Sequence, residues 1–205
     1  PLVDFEDAAA QVSKYIDLIE DTFGIRPKGF WIPERVWEPF IPSILAKFGY
    51  EYTIVDDNLL PSLAPRNASR FVWLTESGGD KIKVLFIDTQ LRYILPWEAP
   101  SKVVDYISNS CRGLEPCYVL WGSDAEKFGE WKDPEWAQSW LSAFFDEIAQ
   151  RRDVKMTTPS EYLGNVKPRG VIYLAPGSYD KMMQWSQGNF RNFLGKYVES
   201  NHMHK

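Results

Sequence analysis

At 205 residues and 23.7 kDa the chain is long enough for one domain with a sizeable core, and its 44% hydrophobic content is ordinary for a globular protein. A net charge of −5 and a pI near 5.2 argue against nucleic acid as the main partner, because such binders carry a basic face for counterion release; a neutral substrate fits better. No run of 18 apolar residues and no signal-peptide core occurs, so the sequence predicts no membrane partner and is read as cytoplasmic.

Residues 4–23 carry an apolar stripe with a period of 3.6, with Asp4 as N-cap and Gly24 as the stop, and predict an amphipathic helix. A short buried strand over 28–32 comes next, then a helix over 39–48 ended by Gly49, then a strand over 52–55. Strand, helix and strand in that order make a βαβ unit with parallel pairing. Residues 58–67 read as a loop, and 71–75 with 81–88 as an antiparallel hairpin inserted between βα units. A helix is predicted from about 101 to 111 and a buried strand over 118–121. Asp133 caps a long helix that Pro134 opens and that runs to about 151. The remainder is a strand over 154–157, a short helix from 158, an extended stretch over 171–174, a turn over 175–179 and a helix over 189–205. That helix ends without a cap, and the chain opens without Met almost directly on a helix, so the sequence predicts a piece of something longer. Cys111 and Cys117 are separated by five residues that include Gly113 and Pro116; nothing requires a disulfide, and the reading favours free thiols.

Two stretches are chemically dense, and both come directly after a predicted buried strand. Gly29-Phe30-Trp31-Ile32-Pro33-Glu34-Arg35-Val36-Trp37-Glu38-Pro39 places a carboxylate and a guanidinium between two indoles. Gly122-Ser123-Asp124-Ala125-Glu126-Lys127-Phe128-Gly129-Glu130-Trp131 places a second carboxylate between Trp121 and Trp131. Functional groups at strand C-termini are the layout of a (β/α) barrel, of which a chain this short supplies only part. Carboxylates paired across a groove lined with rings support glycoside chemistry, and a separation of roughly 5–5.5 Å would imply retention of configuration. Glu34 is then the candidate nucleophile and Asp124 the candidate acid/base. Trp31, Trp37, Trp121, Trp131 and Arg35 are the candidate substrate-binding residues. Plainer readings stand beside these. Glu34 could be a surface carboxylate paired with Arg35 or Arg26, Asp124 a helix cap or a partner of Lys127, and Arg35 either an orienting cation or a structural ion pair. Asp56, Asp57 and Glu126 rank below the main pair. His202 and His204 at i, i+2 point to different faces of a helix and do not read as a metal site; no phosphate loop or nucleophile elbow occurs.

Both dense stretches resemble, in order, the nucleophile and acid/base motifs of glycoside hydrolase family 57. The segment 175–205, with Ser178-Tyr179, Met183-Gln184-Trp185-Ser186 and Phe190-Arg191-Asn192-Phe193-Leu194, is similar to the corresponding segment of its 4-α-glucanotransferase and α-amylase branch. The resemblance implies Glu34 as nucleophile, Asp124 as acid/base, and Trp31 and Trp131 at donor and acceptor subsites. It further implies α-1,4-glucan substrates, an incomplete (β/α)7 barrel, an intracellular setting and no metal or cofactor. On the same resemblance residues 1–205 form a single domain, the central part of the catalytic barrel truncated at both ends. The family's His-Gln-Pro and second, Glu-bearing motifs would precede Pro1, and its fifth motif would lie beyond Lys205. Partners would then be a glucan or maltooligosaccharide, and either the remaining parts of the same catalytic domain or a second copy of the chain. The rivals are a non-catalytic glucan-binding or assembly fragment, and a carbohydrate deacetylase on a similar barrel, which would want an Asp and His metal set.

Overall fold

Helix α1 (Phe5–Phe23) forms as its caps predict: the Asp4 carboxylate accepts from the Asp7 N–H at 2.9 Å, and Gly24 ends the helix at φ 69°. The computed structural model that shows this describes residues 3–186; the helix expected over 189–205, with His202 and His204, lies outside them. Ala9 and Ile16 are the buried residues of α1, Ile16 clustering with Ile41 and Leu45 of helix α2 (Ile41–Lys47), and an apolar groove of about 840 Å³ runs between α1 and strand β1 (Gly29–Trp31).

The sheet has the order β1, β2 (Tyr52–Asp56), β4 (Asp80–Ile87), β3 (Trp73–Ser77). β1, β2 and β4 are mutually parallel, with Phe30 opposite Thr53 and Thr53 opposite Val84; β3 is antiparallel to β4. The expected hairpin is present, and its second strand is also the third parallel strand of the sheet. Thr53, Val55, Val84, Phe86 and Ile87 are fully buried, as expected of parallel strands covered on both faces.

β3 reaches along β4 only as far as Val84, so the last residues of β4 are open on that side. There the strand expected over 118–121 is reduced to a single parallel bridge between Ile87 and Leu120, with the Asp88 N–H donating to the Leu120 carbonyl at 2.9 Å. The physical reason is local. The Phe86 N–H donates to the Tyr118 hydroxyl at 2.8 Å, so a side chain takes the place of a ladder carbonyl. The strand expected over 154–157 does not form either: Val154 packs against the apolar cluster of Val103, Val104, Trp140 and Phe144, while Lys155, Met156 and Thr157 are exposed.

Helices α3 (Thr89–Ile94), α4 (Pro100–Ser110), α5 (Pro134–Gln150), α6 (Pro159–Asn165) and α7 (Asp180–Trp185) complete the described chain. α5 starts as read, Asp133 accepting from Glu135 and Trp136 N–H groups. α3 has no counterpart in the sequence reading; Asp88, fully buried at the end of β4, caps it by accepting from Leu91 N at 2.6 Å. Cys111 and Cys117 form a disulfide rather than standing free. Gly113, at φ 74°, lets the intervening turn close and bring their Cα atoms to 5.7 Å. Among the described residues no helix is long and apolar enough to cross a membrane.

Candidate active site

β1, β2, β4 and the Leu120 bridge run in one direction, so their C-terminal ends deliver Glu34, Asp56, Asp57, Asp88 and Asp124 to one edge of the sheet. Glu34 comes after β1 in a 3-10 turn, Pro33–Arg35, where Glu34 and Arg35 take φ values of 50° and 53°. Left-handed backbone at two successive non-glycine residues costs on the order of 1–3 kcal/mol each, and it persists only where neighbours hold it. The turn over 175–179 does the holding. The Ser178 hydroxyl donates to the Glu34 carbonyl at 2.7 Å, and Trp37 and Gly177 exchange backbone bonds of 2.7 and 3.1 Å. Gly177 lets the two backbones approach there, since a Cβ would stand 2.8 Å from Leu59 Cδ2 and force that side chain to shift. The Tyr179 hydroxyl then donates to Glu34 Oε2 at 3.1 Å.

Arg35 does not pair with Glu34. Its guanidinium is buried, 2.8 Å from Asp56 Oδ1, and lies over the Tyr179 ring at 3.7 Å from the centroid. Arg26 is no partner of Glu34 either; it is engaged with Glu20 and the Phe48 carbonyl. Burial pushes the Asp56 carboxyl up to about 6 despite the attraction of Arg35, and its Oδ2 is buried without a hydrogen-bond partner. Burial also raises Asp57, which accepts from the Thr89 hydroxyl at 2.5 Å and so ties β2 to α3.

Asp124 arrives on irregular backbone. Gly122 lets that backbone approach the sheet, since a Cβ there would sit 2.7 Å from Ile87 Cδ1 and 3.4 Å from Trp31 Cζ2. Asp124 makes no capping bond; its Oδ2 pairs with Arg92 of α3 at 2.7 Å. Lys127 bonds instead to the carbonyls of Arg92 and Leu95 at 2.6 and 3.1 Å, and burial lowers its ammonium below the ordinary lysine range. Two cations of opposite direction, one reaching from α3 and one reaching to it, therefore fasten this loop.

A cavity of about 450 Å³ brings the parts together. It is lined by Trp31, Ile32, Pro33, Glu34, Arg35, Arg92, Asp124, Glu126, Trp131 and Tyr179. Trp31 and Trp131 are 46% and 54% exposed, leaving both indoles accessible at its wall. Trp37 is not part of it. It is 1% exposed in the core, its indole N–H donating to the Leu174 carbonyl at 3.3 Å. Trp121 also turns away from the cavity and packs edge-on against Phe128 and Phe144, because it belongs to the apolar layer between the Leu120 segment and α5. The sequence reading did not assign roles to Arg92 and Tyr179. Arg92 comes after β4 as Glu34 comes after β1, a positional signal that was available once β4 was known to be parallel; Tyr179 lies in a turn whose placement depends on backbone bonds to Trp37, 140 positions earlier. No group of three or more His, Cys, Asp or Glu side chains suited to a metal ion occurs among the described residues.

Known proteins are similar to this chain in sequence and in fold. Alpha-amylase 1 of Dictyoglomus thermophilum is 33% identical over 242 residues, covering all of this chain and 35% of that protein. The 4-alpha-glucanotransferase of Thermococcus litoralis is 33% identical over 98% of this chain and 35% of its own length; its crystal structure superimposes with a TM-score of 0.82 over 97% of this chain and 32% of that one. A polysaccharide deacetylase-like structure from Mycobacterium smegmatis, described as putative in its own right, has a TM-score of 0.59 at 18% identity over 86% of this chain and 63% of that one, a likeness of fold alone. The chain spans about a third of the length of the curated relatives it matches. Its sheet is an arc of the incomplete (β/α)7 barrel that those enzymes carry. The model of glycosyl hydrolase family 57 matches residues 1–175, and, with relatives a third identical along its whole length, the chain belongs to that family.

Proposed function

We propose that this chain carries the catalytic pair of a retaining enzyme acting on α-1,4-linked glucans, by hydrolysis or by 4-α-glucanosyl transfer. The observation that supports it is that Glu34 and Asp124 line one cavity together with the accessible indoles of Trp31 and Trp131. Indoles stack on the apolar faces of glucose units, and paired carboxylates perform double displacement at the anomeric carbon. In the first step a Glu34 carboxylate oxygen attacks that carbon while the glycosidic C–O bond breaks and Asp124 gives its proton to the departing oxygen. In the second, Asp124 takes a proton from water or from a glucan hydroxyl, whose oxygen displaces Glu34 and restores the free carboxylate. Arg92 grips Asp124 Oδ2 and fixes the carboxyl plane during both transfers.

Incubation with maltooligosaccharides tests the reading. Turnover with retained anomeric configuration is expected, together with its loss in Glu34→Gln; full activity of that variant would remove the nucleophile assignment. Binding of maltooligosaccharide without turnover by protein that carries the rest of the barrel would favour a non-catalytic glucan-binding role.

A further inference from the structure

Beneath the cavity, a chain of contacts leads from a fully enclosed carboxylate to the proposed nucleophile. Asp56 is 2% exposed at the end of β2 and bonds Arg35 Nη1 at 2.8 Å. The Arg35 guanidinium carbon lies over the Tyr179 ring, 3.7 Å from its centroid, and the Tyr179 hydroxyl reaches Glu34 Oε2 at 3.1 Å. We propose that Asp56 and Arg35 are positioning residues for Glu34, acting through Tyr179, whose hydroxyl fixes the carboxylate in the orientation needed for attack. The proposal rests on the reading of Glu34 as nucleophile.

Two physical features favour this over an ion pair that merely braces the fold. A guanidinium stacked on a ring fixes the ring plane, which a compact ammonium cannot do as well, so the choice of Arg matters. Arg35 is held in left-handed backbone, a conformation that fold stability alone does not favour and that places its side chain under the cavity. The charges facing Asp56 are Arg35, Arg92 across the cavity floor and the neighbouring Asp57. With burial holding the carboxyl near 6, acidification neutralises Asp56, weakens its hold on Arg35 and loosens Tyr179.

The test measures kcat and KM on maltooligosaccharides, across pH, for the protein and its Tyr179→Phe, Asp56→Asn, Arg35→Lys and Glu34→Gln variants. Loss of one hydrogen bond to a charged group predicts a kcat roughly 10- to 100-fold lower in Tyr179→Phe, with KM within about twofold. Asp56→Asn is expected to lose kcat similarly and to lack the fall in kcat/KM expected of the parent as the pH drops through about 6. Arg35→Lys keeps the charge and should rescue stability but not kcat. If Glu34→Gln is inactive while Tyr179→Phe and Asp56→Asn keep the parental kcat and pH profile, the positioning role is wrong and the nucleophile reading stands. If Glu34→Gln is active, the nucleophile reading itself fails. A readout free of turnover is the crystal structure of Asp56→Asn: a Tyr179 hydroxyl displaced from Glu34 supports the proposal, and an unchanged contact overturns it.

Discussion

The two carboxylates of the cavity are held in contrasting ways. Glu34 comes after a strand of the parallel sheet, in strained backbone that Ser178, Gly177 and the buried Arg35–Asp56 pair hold from below. Asp124 hangs on irregular backbone that touches the sheet through one bridge and is fastened to α3 by the side chains of Arg92 and Lys127. A group that must attack along a fixed line gains from a rigid mount, because near-attack geometry is lost with small displacements. A group that passes a proton back and forth needs a polar partner and less rigidity. The asymmetry of the scaffold thus matches the asymmetry of the proposed roles.

The comparison is broken most directly at Asp124. Asp124→Asn keeps the shape and a hydrogen bond to Arg92 but cannot shuttle a proton, and turnover of maltooligosaccharide is expected to fall about 10²–10⁴-fold, with little change in the melting curve. A thermal loss as large as the catalytic one would make Asp124 a structural anchor instead.

At the Glu34 mount, pH separates charge from packing. The Asp56 carboxyl is raised from 3.8 to about 6 by burial, so between those values the folded state holds a proton that the unfolded chain releases. Stability of the protein relative to Asp56→Asn is therefore greatest below about pH 4, falls as the pH rises toward 6 and is level above, by about 3 kcal/mol in all. Urea unfolding of both proteins at pH 4, 5, 6 and 7 measures it. A parent that gains on the variant as pH rises would mean that attraction to Arg35 outweighs burial.

Smaller effects sharpen the other side. Gly122→Ala places a methyl 2.7 Å from Ile87 Cδ1 and is expected to destabilise by roughly 1–3 kcal/mol through overpacking, with catalysis impaired as the Asp124 loop shifts. Arg92→Met removes the partner of Asp124 while leaving the Arg92 carbonyl for Lys127; kcat should drop about 10-fold at unchanged KM. Equal losses of kcat for Arg92→Met and Asp124→Asn would instead give Arg92 a direct role.

Much of this protein is legible in its sequence because the signals are local. The caps Asp4, Gly24 and Asp133, the periodic apolar stripe of α1 and the strand–helix–strand order are properties of a few neighbouring residues, and each forms as read. The two dense stretches could be found for the same reason, since carboxylates after apolar strands with indoles nearby are visible without any knowledge of contacts. Only the tertiary structure decided which indoles face the cavity. Trp31 and Trp37 flank Glu34 equally in sequence, yet Trp31 stands at the cavity and Trp37 in the core, with the left-handed residues Glu34 and Arg35 between them. It also decided that Arg35 serves Asp56 rather than Glu34, that a hydroxyl from residue 118 replaces a strand ladder, and that Tyr179 and Arg92 complete the site. Those outcomes depend on pairs 21 to 145 positions apart, and the burial and directed hydrogen bonds that select them exist only once the strands have been brought together.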